Sequence, residues 1–268
     1  MGIVIPEIMD RLLEIIREAG EIILDAGKEG TRISVDEKSG TSNFVTQYDL
    51  KVQNYLIDSI KKIAPEATFI AEEKENDTKL LNEPECIIID PIDGTANFIN
   101  NYHHSCISLA IVSHGVTLFG AVYDPYMKEM FHAMIGHGAY LNGEKISVGK
   151  RPIERAIVAF GTSPYHKDTL TDKTFSLARE LFLKANDVRR CGSAALDLAY
   201  LAAGRNDIFA EFILQPWDQA AGAILVKEAG GIVCTMSGEP LPLDKPSSIM
   251  ATSRELYSEV FEIVSKYV

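Results

Sequence analysis

The segment from Cys86 to Thr95, which reads CIIIDPIDGT, restricts the fold of this chain more than any other stretch. Its apolar, β-branched run predicts a buried strand that ends at Asp90. Asp93-Gly94-Thr95 then predicts a turn that can open a helix through Phe98. Two carboxylates three residues apart at a strand end can point into one space, and Gly94 lets the backbone approach an anion closely. This strand end is therefore the first candidate for a site.

The spacing of Asp90 and Asp93 argues against one kind of phosphatase. Enzymes of the aspartyl-phosphate type use two Asp residues separated by a single residue, and here two residues intervene. We therefore expect Asp90 and Asp93 to ligate metal and water to be the nucleophile. The plain alternative is an Asp-Pro turn followed by an Asp-Gly turn with no function.

The periodicity of the chain changes between its two halves. The first half predicts amphipathic helices over residues 7–26 and 50–64 and short strands whose turns suit antiparallel pairing. These strands cover residues 68–71, 86–89, 106–113, 116–123 and 129–133. The second half alternates strands and helices, which indicates α/β layering. We expect residues 1–150 and 151–268 to be two parts of one compact unit.

Composition limits the classes of partner. The net charge is −12, from 38 acidic and 26 basic residues, and such a chain repels nucleic acid and anionic membranes. We found no signal peptide and no apolar run long enough to span a bilayer, so the chain is expected to be cytoplasmic. The four cysteines are scattered, which favours reduced thiols over a disulfide framework or a zinc site. His103-His104 has no third His or Cys at useful spacing and is interpreted as a pair of structural polar residues.

Further acidic residues follow predicted strands or begin helices. Glu72 follows a strand, and Asp218 starts a helix. Taken singly, each has a plain explanation, as a solvated loop residue or as a favourable charge at a helix end. Together with the segment around Asp90, they occur in an order that resembles the inositol monophosphatase family. The matching segments are residues 38–49, 69–73, 90–98, 138–143, 217–222 and 228–231.

The resemblance implies a fold, a cofactor and an assembly. The fold would be a layered α-β-α-β-α sandwich, α+β in its first half and α/β in its second, and the protein a lithium-sensitive homodimer. Two or three Mg²⁺ ions would be bound. Glu72, Asp90 and the carbonyl of Ile92 would hold the first ion, and Asp90, Asp93 and Asp218 the second. Glu72 would also serve a third, weaker ion. Mg²⁺ prefers such oxygen ligands.

The resemblance also assigns catalytic and substrate-binding roles. Thr95 and Asp49 would activate water, since a hydroxyl backed by a carboxylate can accept a proton, although Thr95 could equally cap a helix. Glu72 would assist as a metal-binding catalytic residue. The remaining family positions would bind phosphate or polyol, or belong to a mobile loop. They are the backbone of Gly94 and Thr95, then Gly192, Ser193, Ala194, Glu211 and Thr162, with Lys38 on the loop.

The sequence leaves more than one class of substrate in consideration. Inositol-1-phosphate is the leading expectation for a small phosphate ester, and fructose 1,6-bisphosphate is the first alternative. A nucleotide bisphosphate is less favoured, because such relatives commonly carry Lys-Glu-Phe where this chain has Ala96-Asn97-Phe98. A cation-binding protein without catalysis is the alternative of a different class, and the loss of a ligand or of Thr95 would favour it.

Overall fold

The computed structural model describes residues 5–28, 35–37 and 44–268. Its helices and sheets form five alternating layers. The helices are α1 (Ile5–Lys28), α2 (Gln47–Ile63), α3 (Thr95–Ile99), α4 (Lys167–Lys184), α5 (Ala194–Ala202), α6 (Pro216–Glu228) and α7 (Tyr257–Val264). The first strands are β1 (Val35–Glu37), β2 (Phe44–Thr46), β3 (Thr68–Ala71), β4 (Cys86–Asp93), β5 (Cys106–Ser113), β6 (Val116–Asp124) and β7 (Glu129–Met134). The others are β8 (Gly138–Leu141), β9 (Glu144–Ile146), β10 (Ile157–Phe160), β11 (Asp187–Arg189), β12 (Ile208–Leu214), β13 (Ile232–Cys234) and β14 (Ser247–Thr252).

The outer layer of the first half is the helix pair α1 and α2. Helical spacing places Leu12, Ile15, Ile16, Ala19 and Ile23 on one buried stripe of α1. That stripe packs with α2 against alternate residues of the first sheet, so the expected amphipathic helices are present. α2 begins with a capping box, in which Thr46 and Asp49 satisfy each other's backbone N–H groups.

The first sheet has seven strands in the sequential order β3-β4-β5-β6-β7-β8-β9. Its pairs are antiparallel except β3 with β4, which are parallel. β4 is buried on both faces because successive side chains point to opposite sides. Ile87 and Ile89 face α1 and α2, whereas Cys86 and Ile88 face the middle of the molecule. This two-sided burial explains the continuous apolar run before Asp90.

The central layer consists of α5 and α6, which separate the two sheets. Most residues of both helices are buried, and they share one core cluster with strands of both sheets. Close packing depends on small residues. A Cβ on Gly222 would lie 2.6 Å from the Leu198 side chain, and one on Gly120 would lie 2.5 Å from Ile224.

The second sheet has the order β11-β10-β12-β14-β13, with a parallel core of β11, β10 and β12. α4 and α7 cover its outer face with Leu177, Leu181, Val260 and Ile263. The five layers confirm the expected α-β-α-β-α sandwich. The expected boundary near residue 150 falls between β9 and β10, that is, between the two sheets. Within residues 5–28 and 44–268, no helix is both long and apolar enough to cross a membrane.

Candidate active site

A β-bulge shapes the end of β4. The strand does not end at Asp90, as the sequence suggested, but continues to Asp93 with a register shift against β5 between these two residues. The backbone N–H of Ile92 donates to Asp90 Oδ1 at 3.0 Å within the bulge. A bulge bends its strand and re-aims side chains, so both aspartates line the same cavity.

The turn after β4 requires glycine. Gly94 has a φ of 89°, in the left-handed region, and a Cβ there would lie 3.0 Å from the carbonyl oxygen of His104 and 3.1 Å from that of Gly192. α3 begins at Thr95, so Gly94 occupies the N-cap position and Thr95 does not cap the helix through its hydroxyl. The turn brings the backbone of 94–96 to the wall of the cavity.

Three carboxylates converge on the floor of this cavity, whose volume is about 340 Å³. One oxygen each of Asp90, Asp93 and Asp218 lies within 4.8 Å of the others. Glu72 lies outside that group but lines the same cavity. Burial raises the pKa of Asp90 well above its usual range, and the charge of Glu72 is the next largest cause. Burial likewise raises the pKa of Asp93 to about 6.

Groups from the second half hold two of these carboxylates in place. Asp93 Oδ2 accepts hydrogen bonds from Ser193 Oγ at 2.6 Å and from the Ala195 N–H at 2.7 Å, at the start of α5. Asp218, in the first turn of α6, accepts from the Gln215 N–H at 2.7 Å. Asp218 is thus both a helix-end acid and part of the carboxylate cluster. The cluster forms only where the two sheets and the central helices meet.

A hydroxyl backed by a carboxylate lies next to the cluster. Thr95 Oγ1 is 3.3 Å from Asp49 Oδ1 and 3.1 Å from the Ile92 carbonyl oxygen. Asp49 is fully buried, and its Oδ2 accepts from the Thr46 hydroxyl at 2.6 Å and the Thr46 N–H at 2.8 Å. The capping box of α2 therefore fixes the position of the Asp49 carboxylate, to which the Thr95 hydroxyl donates a hydrogen bond.

Glu211, on β12, also lines the cavity. Its Oε1 accepts from the Ser163 N–H at 2.8 Å and the Ser163 hydroxyl at 3.2 Å. Gly161 leaves room for this carboxylate, because a Cβ there would overlap it. Burial raises the pKa of Glu211 to about 7, although the Ser163 hydrogen bonds oppose the shift.

Of the other residues expected to bind substrate, three line the cavity and Thr162 does not. Gly192, Ser193 and Ala194 line the cavity. Thr162 is not among the lining residues; its hydroxyl accepts from Arg190 Nη2 at 2.8 Å and Arg190 Nε at 3.2 Å. The expected loop residue Lys38 lies outside the described residues.

Sequence reasoning missed several residues of the cavity wall, and three of them are Ser163, Arg190 and Asp197. Each lies within a few residues of a position that was predicted. Ser163 follows Thr162 directly, and Arg190 comes two residues before Gly192. Arg190 brings a positive charge that lowers the pKa values of Asp93 and Glu211. A rule that extends each predicted position by a few residues would have found them.

Alternating helix and sheet layers around an acid-lined cavity define a class of phosphatases. The chain belongs to the inositol monophosphatase family, whose model matches residues 7–268. It is therefore a phosphoric monoester hydrolase of a metal-dependent family. The expectation drawn from the sequence motifs is confirmed at this level.

Individual relatives are similar along most of their length. The chain is 40% identical over 223 residues to the Nus factor SuhB of Salmonella typhimurium, covering 83% of this chain and 82% of that protein. It is 35% identical over 248 residues to the inositol-1-monophosphatase of Bacillus subtilis, covering 92% of each. A solved IMPase structure from Thermotoga maritima superimposes with a TM-score of 0.87 at 32% identity, covering 97% of this chain and 98% of that one.

Proposed function

We propose that the protein hydrolyses a small polyol or sugar phosphate monoester with Mg²⁺, and that inositol-1-phosphate is the preferred substrate class. The observation that carries the proposal is the carboxylate cluster at the end of β4. The charges of Glu72, Asp93, Asp218 and Asp49 all raise the pKa of Asp90. So many like charges around one buried group call for a cation.

The donor set fits Mg²⁺, because every donor is an oxygen. Glu72, Asp90 and the Ile92 carbonyl would hold one ion and Asp90, Asp93 and Asp218 a second, with Glu72 available to a weaker third. Bound there, Mg²⁺ would neutralise the phosphate dianion, lower the pKa of water and stabilise the leaving alkoxide.

Thr95 and Asp49 would accept the proton that the attacking water releases. The Thr95 hydroxyl accepts that proton while its own moves to Asp49, 3.3 Å away. The water oxygen forms a bond to phosphorus, and the bond from phosphorus to the polyol oxygen breaks. The departing oxygen takes a proton from solvent, which yields the free polyol and inorganic phosphate.

The cavity would orient the ester along its length. The backbone of Gly94 and Thr95 would contact the phosphate beside the cluster, whereas Gly192, Ser193, Ala194 and Glu211 would contact the polyol. Glu211 is suited to accept hydrogen bonds from hydroxyls, since Ser163 bonds only its Oε1. Thr162 would contribute through Arg190, which it contacts directly.

The name of the Bacillus subtilis relative, an inositol-1-monophosphatase, supports the choice of substrate. Fructose 1,6-bisphosphatase activity on the same carboxylates is the alternative, and nucleotide bisphosphate hydrolysis is less favoured. A non-catalytic cation-binding role has little support, because no expected ligand is missing from the cavity.

A substrate panel tests the proposal. Inositol-1-phosphate, fructose 1,6-bisphosphate, a nucleoside 3′,5′-bisphosphate and p-nitrophenyl phosphate are assayed for released phosphate with Mg²⁺ and with excess chelator. We expect the highest kcat/KM for inositol-1-phosphate and no turnover of any ester with chelator. Full turnover in chelator would contradict the metal mechanism, and a preference for either bisphosphate would contradict the substrate assignment.

A further inference from the structure

A second group of possible ligands lies behind the turn at Gly192. One ligand atom each of His104, Cys191 and Asp197 lies within 4.8 Å of the others. His104 precedes β5, Cys191 follows β11, and Asp197 is in the first turn of α5. These three residues, the His104–Cys191–Asp197 cluster, come from elements of both halves.

Hydrogen bonds fix the backbone around this cluster. Asn97 Nδ2 donates to the carbonyl oxygen of His104 at 2.7 Å and to that of Cys191 at 2.8 Å, so it ties the two segments together. Gly192 has a φ of 92°, and a Cβ there would lie 3.1 Å from Asn97 Nδ2. The three side chains are therefore presented by a defined backbone, as a preformed site requires.

Two polar atoms of the cluster are buried without a partner. His104 Nε2 and Asp197 Oδ1 make no hydrogen bond to any residue that the structure describes, and Asp197 is only 2% exposed. Leaving such an atom unsatisfied destabilises the folded state, and more so when the group is charged. Groups of this kind in native structures call for an explanation, and a bound ion is one.

The chemistry of the donors indicates the kind of ion. A thiolate, an imidazole and a carboxylate suit Zn²⁺ and similar borderline or soft cations, whereas Mg²⁺ requires oxygen ligands. Three protein ligands would leave a fourth tetrahedral position for water.

We propose that the His104–Cys191–Asp197 cluster binds a thiophilic divalent cation of the zinc class, at a site distinct from the carboxylates of Asp90, Asp93 and Asp218. The two sites are neighbours. Asp197 also lines the active-site cavity, and Ser193, between Cys191 and Asp197, donates to Asp93. A cation in the cluster would therefore fix the segment that holds one wall of the active site.

Cd²⁺ titration of the full chain tests the proposal. The protein is kept in excess Mg²⁺ with a phosphine reductant, and the ultraviolet charge-transfer absorption of a cadmium–thiolate bond is recorded. We expect about one equivalent to bind with this absorption. Cys191→Ser should abolish the absorption. Cys234→Ser is the matched control and should keep it, because Cys234 is buried in the core under α4 and α7.

The two other ligands are tested by affinity. His104→Gln and Asp197→Asn should each weaken Cd²⁺ binding by at least about tenfold while the charge-transfer absorption remains at saturation. In the wild-type protein, Cd²⁺ should also protect Cys191 from alkylation, as mapped by peptide mass analysis, which does not depend on any variant folding. The proposal is overturned if the wild-type protein shows no thiolate absorption, if Cys191→Ser retains it, if either affinity is unchanged, or if Cys191 is alkylated equally with and without Cd²⁺.

Discussion

The buried carboxylates that line the active-site cavity have two different surroundings. At the floor, Asp90, Asp93 and Asp218 crowd together, and neighbouring carboxylates add to the burial that raises the pKa of Asp90. Glu211 lies outside that group, although the charge of Asp93 still raises its pKa, and Ser163 donates two hydrogen bonds to one of its oxygens. The three floor carboxylates are proposed to bind a cation, in addition to the hydrogen bonds that the protein donates to Asp93 and Asp218, whereas Glu211 is proposed to accept hydrogen bonds from substrate. This contrast separates the residues proposed for chemistry from those proposed for substrate choice.

The largest effect is expected at the floor. Asp90→Asn should lower kcat by about a hundredfold or more at saturating Mg²⁺, the usual loss for one aimed electrostatic group. The same change should raise the free energy of unfolding of the metal-free protein, because it removes a buried carboxyl group whose ionisation is disfavoured by burial and by the neighbouring carboxylates. Steady-state kinetics and urea denaturation in chelator measure the two effects.

Asp124→Asn is the matched control for that substitution. Asp124 is also a buried carboxylate, and it accepts from the Tyr126 and Met127 N–H groups, but it does not line the cavity. Its kcat should stay near that of the wild-type protein. Comparable kcat values for Asp90→Asn and Asp124→Asn would mean that the floor has no special role.

The stability of the metal-free protein should fall as pH rises. The folded-state pKa of Asp93 is about 6 and that of Glu211 about 7, both above their usual values. The folded state therefore keeps protons that the unfolded state has already released, and stability is lost between pH about 3.8 and about 7. The shift at Glu211, from 4.5 to about 7, corresponds to roughly 3 kcal/mol.

Urea denaturation at several pH values, in chelator, measures this loss. Glu211→Gln should flatten the pH dependence in part, because glutamine does not titrate and its oxygen can still accept from Ser163. Saturating Mg²⁺ should flatten it further by favouring ionised carboxylates on the floor. A free energy of unfolding that rises across this range would contradict the assignment of raised pKa values.

A smaller effect is expected on substrate preference. Glu211→Gln should raise KM for inositol-1-phosphate by about tenfold, because an ionised carboxylate accepts hydroxyl hydrogen bonds more strongly than an amide does. It should leave p-nitrophenyl phosphate nearly unaffected, since that ester has no polyol hydroxyls. Measuring kcat/KM for both esters decides the point. An equal loss on both would place Glu211 with the chemistry of the floor.

The smallest effect concerns Thr162. Thr162→Val removes the hydroxyl that accepts from Arg190 and should lower kcat/KM for inositol-1-phosphate by roughly fivefold, the value of one modest hydrogen bond. Thr171→Val is the control, since the exposed Thr171 bonds only the Lys167 carbonyl oxygen of its own helix. If both variants lose activity equally, or neither does, Arg190 does not contribute through Thr162.

The sequence predicted strand boundaries most accurately where the strand is buried along its whole length. The expected strands over residues 106–113 and 129–133 agree with β5 and β7 to within a residue, because their apolar patterns fit a strand and not a helix. The short strands β1, β2, β8, β9 and β13 were missed, since so few residues give no clear period. The end of β4 was placed three residues too early. Pro91 and Asp90 look like a strand terminator, but a bulge against β5 keeps the strand paired to Asp93.

By itself, the sequence identified the family through its short motifs, and the resemblance to that family implied the five-layer fold. Local periodicity predicted most of the helices and strands. Only the tertiary structure decided how separate segments meet. Ser163 rather than Thr162 contacts Glu211, and Asn97 joins the backbone segments of His104 and Cys191. The cysteines and the His103–His104 pair gave no metal pattern in sequence. His104, Cys191 and Asp197 converge because the central helices bring both sheets together, and no local spacing encodes packing between distant segments.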